Sequence, residues 1–212
     1  RADLDLAKKQ LVFSGKVNGG LPQIERFDAD KFTYNLESGE ALMTNLTAKG
    51  LAISNPQEKK EPAEGEKKQT SYSKMDIVRA PEVSITGQQL NWMRGGVELT
   101  MHPDDPADKP INVKSQEVRF SQGEGANAAQ RVVMSGGVDV QAPEVSASSE
   151  TADLDMQTNK LTFDGNVKVS TPELQNATAR QFVYDLATGR PKFTGLKSDA
   201  IDVSKKEKDA QP

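Results

Sequence analysis

Ala2-Asp3-Leu4-Asp5, at the start of the chain, returns as Ala152-Asp153-Leu154-Asp155, 150 positions later. At the same offset and without a gap, Leu11, Phe13, Gly15 and Val17 meet Leu161, Phe163, Gly165 and Val167. Pro22 meets Pro172, and Phe32, Tyr34, Leu36 and Gly39 meet Phe182, Tyr184, Leu186 and Gly189. Leu46 meets Leu196. Roughly a third of the aligned positions are identical, and a repeat at fixed offset marks an architecture that stacks one unit many times.

The repeated unit alternates with period 2. Leu11-Val12-Phe13 and Phe32-Thr33-Tyr34-Asn35-Leu36 place apolar side chains on one face, as do Val132–Met134, Val138–Val140, Leu161–Phe163, Val167–Val169 and Phe182–Leu186. Ser38-Gly39, Gly136-Gly137, Asp164-Gly165 and Thr188-Gly189 bound these short runs, a rhythm that indicates an all-β sandwich or barrel. Ala147–Asp155 has no 3.6-residue apolar face and is not read as a helix. Phe/Met-x-Gly-x-Val occurs at Phe13–Val17, Met93–Val97, Met134–Val138 and Phe163–Val167. A glycine inside a strand pattern marks a bulge, here a place for a curved strand to bend over the core. Ala80–Ser84 (APEVS) reappears at Ala142–Ser146, with Thr171–Leu174 as a looser copy; proline there suits a turn, a first strand residue or an edge.

The chain has 212 residues, 35% of them apolar, which suits strands with one buried face in a single domain over 1–204. A net charge of −4 argues against nucleic acid as a partner, because phosphate binding needs a basic face. With no cysteine there are no disulfides, thiol chemistry or thiolate metal sites. No apolar run reaches a membrane helix and no signal peptide is visible; a chain beginning at Arg1 is also compatible with a removed N-terminal signal or anchor. Residues 55–74 are charged and nearly free of apolar side chains, and read as a disordered loop. His102–Pro110 reads as an acidic, Pro-rich loop, 122–130 as a small-residue loop, and 205–212 as a flexible tail.

Chemistry is sparse. The one histidine, His102, lies beside Asp104, Asp105 and Asp108 on the Pro-rich loop, so it reads as solvated, with weak calcium binding as the alternative. Asp3, Asp5, Asp153 and Asp155 alternate with Leu4, Leu6, Leu154 and Met156, which puts them on the outer face of two strands rather than in a glycosidase pair. One loop histidine makes no Ser-His-Asp set, and no phosphate loop or dinucleotide fingerprint occurs. No cofactor, no metal and no catalytic residue is expected. Trp92 suits a core strand, with a sugar platform as the alternative. The apolar stripe itself fits either a closed, self-filled sandwich or an open trough for lipid chains.

Leu161-Thr-Phe-Asp-Gly-Asn-Val-Lys-Val169, a Pro-marked turn, Ala177-Thr-Ala-Arg-Gln-Phe-Val-Tyr-Asp185 and Thr188-Gly189 together resemble the OstA-like lipopolysaccharide-transport β-jellyroll family, which includes LptA, LptC and the N-terminal module of LptD. Leu11–Gly39 fits the same pattern, with Lys16 for Asn166 and Asn35 for Asp185. The resemblance is best over 132–196, fair over 2–54 and weak through 76–130. It implies an elongated, twisted antiparallel β-jellyroll with two sheets in a V and open ends, built from repeated hairpins. It further implies a non-catalytic periplasmic carrier that shields lipopolysaccharide acyl chains on their way to the outer membrane. Like modules, a second copy among them, would join it end to end by strand pairing. Phe13, Val17, Phe32, Tyr34, Trp92, Met134, Phe163, Val167, Phe182 and Tyr184 are the expected groove lining. A scaffold polymerising through its edges and a carbohydrate-binding sandwich are the other readings.

Overall fold

The computed structural model describes residues 1–21, 24–52, 72–87, 89–122, 129–172, 174–198 and 200–201. The strands are β1 (Ala2–Asp5), β2 (Gln10–Leu21), β3 (Ile24–Asn35), β4 (Glu40–Ala52), β5 (Tyr72–Thr86), β6 (Gln89–Pro103), β7 (Ile111–Gln122), β8 (Ala129–Gln141), β9 (Ser146–Asp155), β10 (Lys160–Ser170), β11 (Leu174–Gln175), β12 (Ala177–Asp185), β13 (Arg190–Thr194) and β14 (Ala200–Ile201). Twelve of them form one antiparallel sheet in chain order, β1 to β10, then β12 and β13; β11 and β14 pair separately. The expected all-β jellyroll is present as a single continuous meander, and Ala147–Asp155 lies in strand. The expected 55–74 loop falls outside the described residues, except that Tyr72–Lys74 already belong to β5. The 205–212 tail and most of the 122–130 loop also lie outside them.

Each long strand bends once, and the bend obeys a spacing rule. On β3, β4, β5, β7, β9 and β12 the interior residues either side of it are three apart: Ala29 and Phe32, Met43 and Leu46, Ala80 and Val83, Ser115 and Val118, Ser149 and Ala152, Ala179 and Phe182. On β2, β6, β8 and β10 they are four apart: Phe13 and Val17, Met93 and Val97, Met134 and Val138, Phe163 and Val167. The extra residue is a β-bulge, seen as register shifts between Ser14 and Val17, Arg94 and Val97, Ser135 and Val138, and Asp164 and Val167. Residues three apart on a flat strand point to opposite faces, yet the apolar ones among these pairs join one hydrophobic cluster, and Ser115 and Ser149 are buried. The sheet is therefore folded along the line of bends, and its two wings close on a common core. The two sheets expected from the resemblance are two wings of one.

The bulge explains Phe/Met-x-Gly-x-Val. Both residues before the valine have positive φ: Gly15 and Lys16 (81° and 53°), Gly95 and Gly96 (94° and 92°), Gly136 and Gly137 (80° and 87°), Gly165 and Asn166 (80° and 47°). The first is always glycine, and the second is glycine, asparagine or lysine; glycine adopts this region freely and asparagine more readily than most. Gly136-Gly137 and Asp164-Gly165, read from sequence as turn residues between strands, thus lie inside single strands. Opposite each bulge valine sits a small residue, Ala29, Ser115, Ser149 or Ala179. Ser115 and Ser149 are buried, and their hydroxyls donate to the carbonyls of Glu117 (3.2 Å) and Thr151 (2.7 Å), so neither polar group is left orphaned. The APEVS copies divide: Ala142–Ser146 is a turn, closed by the Ala142 N–H on the Val145 carbonyl at 2.9 Å. Pro81 sits instead in the middle of β5, at the bend, where the register with β6 shifts.

Four turns repeat as well. Asp5, Asn35, Asp155 and Asp185 end β1, β3, β9 and β12. The Asn35 Oδ1 accepts from Glu37 N–H (2.8 Å) and Ser38 N–H (3.0 Å). The Asp155 Oδ1 accepts from Gln157 N–H (2.8 Å) and Thr158 N–H (3.1 Å). Asp5 receives Lys8 N–H at 3.0 Å and Asp185 receives Thr188 N–H at 2.9 Å. Lys9, Gly39, Asn159 and Gly189, all at positive φ, close these turns. Asp5 and Asp155 are thus turn caps, not simply outer-face strand residues. Partial burial pushes the Asp155 carboxyl up, but the hydrogen bonds from Thr158 and Gln157 outweigh it and hold the group below its ordinary value.

Two predictions follow from the bends and caps. Gly136→Ala places a Cβ 2.6 Å from the Gln116 Cβ at positive φ. It is expected to cost about 2 kcal/mol in denaturant unfolding, against about 1 kcal/mol for Gly15→Ala, which shares the φ but meets nothing within 4 Å. Because the folded Asp155 carboxyl titrates below the unfolded one, its contribution is full above the ordinary carboxyl range of about pH 4 and is lost as pH falls through the folded value. Asp155→Asn, which copies Asn35, should keep the turn at pH 7 and flatten the acid limb of a stability–pH curve. Asp155→Ala should lose about 1 kcal/mol at pH 7.

Candidate functional site

One interior row crosses the whole sheet on one wing. Directly paired residues run Ala2, Phe13, Phe32, Met43, Val83, Met93, Val118, Met134, Ala152, Phe163, Phe182 and Phe193, and every one is apolar. Beyond the bend, Val17, Val97, Val138 and Val167 point into the same cluster from the other wing. Of the ten expected lining residues, Met134, Phe163, Val167 and Phe182 are buried, and Val17, Phe32, Tyr34 and Tyr184 pack partly buried against the core. Phe13 lies in the row at its open end and is 37% exposed.

Trp92 is the exception. Its neighbour Met93 pairs with Val83 and Val118 inside, so Trp92 points outward between Ser84 and Arg119. Its ring lies under the Arg94 guanidinium, 4.4 Å from the centroid, outside the hydrophobic cluster. Its place as a lining residue is therefore corrected: alternation from Met93 decides its face, and a lone tryptophan carries no period of its own. His102 is also displaced from its expected loop. It stands on β6, with Nε2 3.1 Å from the Asp76 carboxylate, while Asp104, Asp105 and Asp108 follow in the loop.

The larger side chains of this row absent from the expected lining are Met43, Val83, Met93, Val118 and Phe193, and Val97 and Val138 join them beyond the bend. Met93 occupies the first position of the glycine motif, and Phe193 stands 150 positions from Met43, so both carried a signal. Val83 and Val118 become legible only through register.

The duplicated copies have the same local geometry but different surroundings. Leu11 pairs with Tyr34 and Phe13 with Phe32, just as Leu161 pairs with Tyr184 and Phe163 with Phe182. The Phe13 and Phe32 rings lie 6.1 Å apart, and those of Phe163 and Phe182 5.3 Å apart, with Phe193 adding a third ring 4.9 Å from Phe182. Yet Leu4 is 57% exposed and Leu36 49%, against 4% for Leu154 and 6% for Leu186. β9, the first strand of the second copy, is flanked by β8, whereas its counterpart β1 is the edge of the sheet; β13 is the edge at the other end. The opposite end repeats this: Leu196 is 38% exposed where its equivalent Leu46 is fully covered. Burial raises the Tyr184 phenol above its ordinary range, helped by the Glu144 and Asp185 charges, so this ring stays neutral.

The outer face is charged where the inner is apolar. Arg79, Glu98, Lys114 and Asp139 face one another in a row of alternating sign across β5 to β8. Arg131 forks onto Asp153 across β8 and β9. Among the described residues no three His, Asp or Glu side chains are gathered as metal ligands.

Residues 110–190 match the family described as LptA/(LptD N-terminal domain) LPS transport protein. The resemblance drawn from the sequence is borne out. The matched span runs from the start of β7 to the first residue of β13 and holds two of the four glycine bulges and the more deeply buried aromatic pair. No curated protein matches the chain.

The paired copies allow an internally controlled test of the core. Phe182→Ala, at a fully covered position, should lower unfolding free energy by about 3–5 kcal/mol. Phe32→Ala, at the equivalent half-buried position, should cost less than half as much in the same denaturant titration.

Proposed function

We propose that this protein is a non-catalytic carrier that shields lipopolysaccharide, or a related lipid, during transport to the outer membrane. The acyl chains lie between the two wings, and the chain works in the periplasm as one link of a series of like β-jellyrolls. The observation that carries this reading is the unbroken apolar row through twelve strands, open at both ends, in a chain matched to a lipopolysaccharide transport family.

The energetics support it. Each methylene moved from water to an apolar site gains about 0.8 kcal/mol, so a lipid with several acyl chains does not cross water unaided. Successive similar interiors make each transfer nearly neutral. Edge strands with apolar neighbours are hazards in an isolated protein, and are suited to receiving another strand by β-augmentation. Exposed Leu4, Phe13 and Leu36 at one end and Leu196 at the other are the surfaces such a neighbour would cover.

A photo-crosslinking residue in place of inward Val118 should capture lipopolysaccharide in cells exporting it, and one in place of Leu4 should capture a protein. Capture of protein alone from Val118 would overturn lipid carriage in favour of a scaffold.

A further inference from the structure

The interior is not uniform along its length. The glycine motif begins with Phe in the outer copies, Phe13 on β2 and Phe163 on β10, and with Met in the central ones, Met93 on β6 and Met134 on β8. Each outer phenylalanine faces another ring across the ladder, Phe32 or Phe182. Met93 instead faces Val83 and Val118, and Met134 faces Val118 and Ala152. From Met43 to Ala152 the row contains no ring. Five of the six methionines of the chain, Met43, Met75, Met93, Met101 and Met134, are buried on β4, β5, β6 and β8. Two of them, Met75 and Met101, are direct partners on the other wing.

This core is already filled: Met43 and Met93 are at most 1% exposed. A chain can enter only where side chains give way. Phe182 is stacked between Phe163 and Phe193, and flat rings packed this way have few alternative arrangements. Valine has one stiff torsion, whereas methionine has three soft ones around a polarisable sulfur and repacks around irregular shapes. We infer that the methionine-lined middle of the interior, centred on Met43, Met93 and Met134, is the segment that deforms to accept acyl chains, while the aromatic clusters at the two ends keep the wings closed. The inference rests on lipid carriage and specifies where within the interior it happens.

The test uses the full chain with methyl-13C methionine and purified lipopolysaccharide as the probe. The signals of Met43, Met93 and Met134 should shift or broaden on titration, beyond any change at Met156 in the β9–β10 turn. The triple variant Met43→Leu, Met93→Leu, Met134→Leu conserves volume but stiffens the row. It should bind about fivefold more weakly, with a melting temperature within about 3 °C of the parent. Val133→Thr, on the outer face, should bind as the parent does. Lipid binding with the three signals unmoved, or undiminished binding by a folded triple variant, overturns the inference and leaves lipid carriage standing. No binding by the parent chain overturns both. If the triple variant does not fold, the parent's methyl signals decide.

Discussion

Every long strand of this sheet has to pass through a sharp bend and still present apolar side chains to the same core. A regular strand cannot do so, because its two ends would then show opposite faces to the interior. The chain meets the constraint by alternating two kinds of strand. One kind flips its buried face over a three-residue step; its neighbour carries one extra residue and takes a four-residue step. The extra residue comes with two consecutive positive-φ positions, the first always glycine and the second glycine, Asn166 or Lys16, and the residue opposite the bulge valine is small, alanine or serine. Four copies of that arrangement hold the fold line, and the common core of the two wings follows from it.

A stack of near-identical units has ends, and the ends differ from the middle in what covers them. The N-terminal and C-terminal copies share register, ring pairs, turn caps and glycines, so their contrast in exposure cannot come from local sequence. For Leu4 it follows from β1 being the edge strand, where Leu154 on β9 lies beside β8. The edge strands β1 and β13 each leave one side of the ladder without a neighbouring strand of this sheet.

Chemical composition grades along the stack as well. Along the row from Phe13 to Phe193, rings stand at both ends and methionine, valine and alanine between them, while the outer face carries alternating charges with Trp92 tucked beneath Arg94.

The alternation and the 150-residue echo were enough to read an all-β stack and its glycine bulges, because period 2 and repetition are local properties of the chain. The placement of Trp92 was not legible, since its face depends on pairing with β5 and β7 rather than on its own neighbours. Nor was the split between Pro81 in a bend and Pro143 in a turn, as the same APEVS letters satisfy both. The fold class and the bulge positions were legible because backbone preferences within a few residues set them, whereas the capping roles of Asp5 and Asp155 were hidden behind the strand alternation. Only the tertiary structure decided that two parities of side chain share one core, and that Phe163 is sealed while its twin Phe13 lies open, because burial is a property of neighbours that the chain brings together across strands.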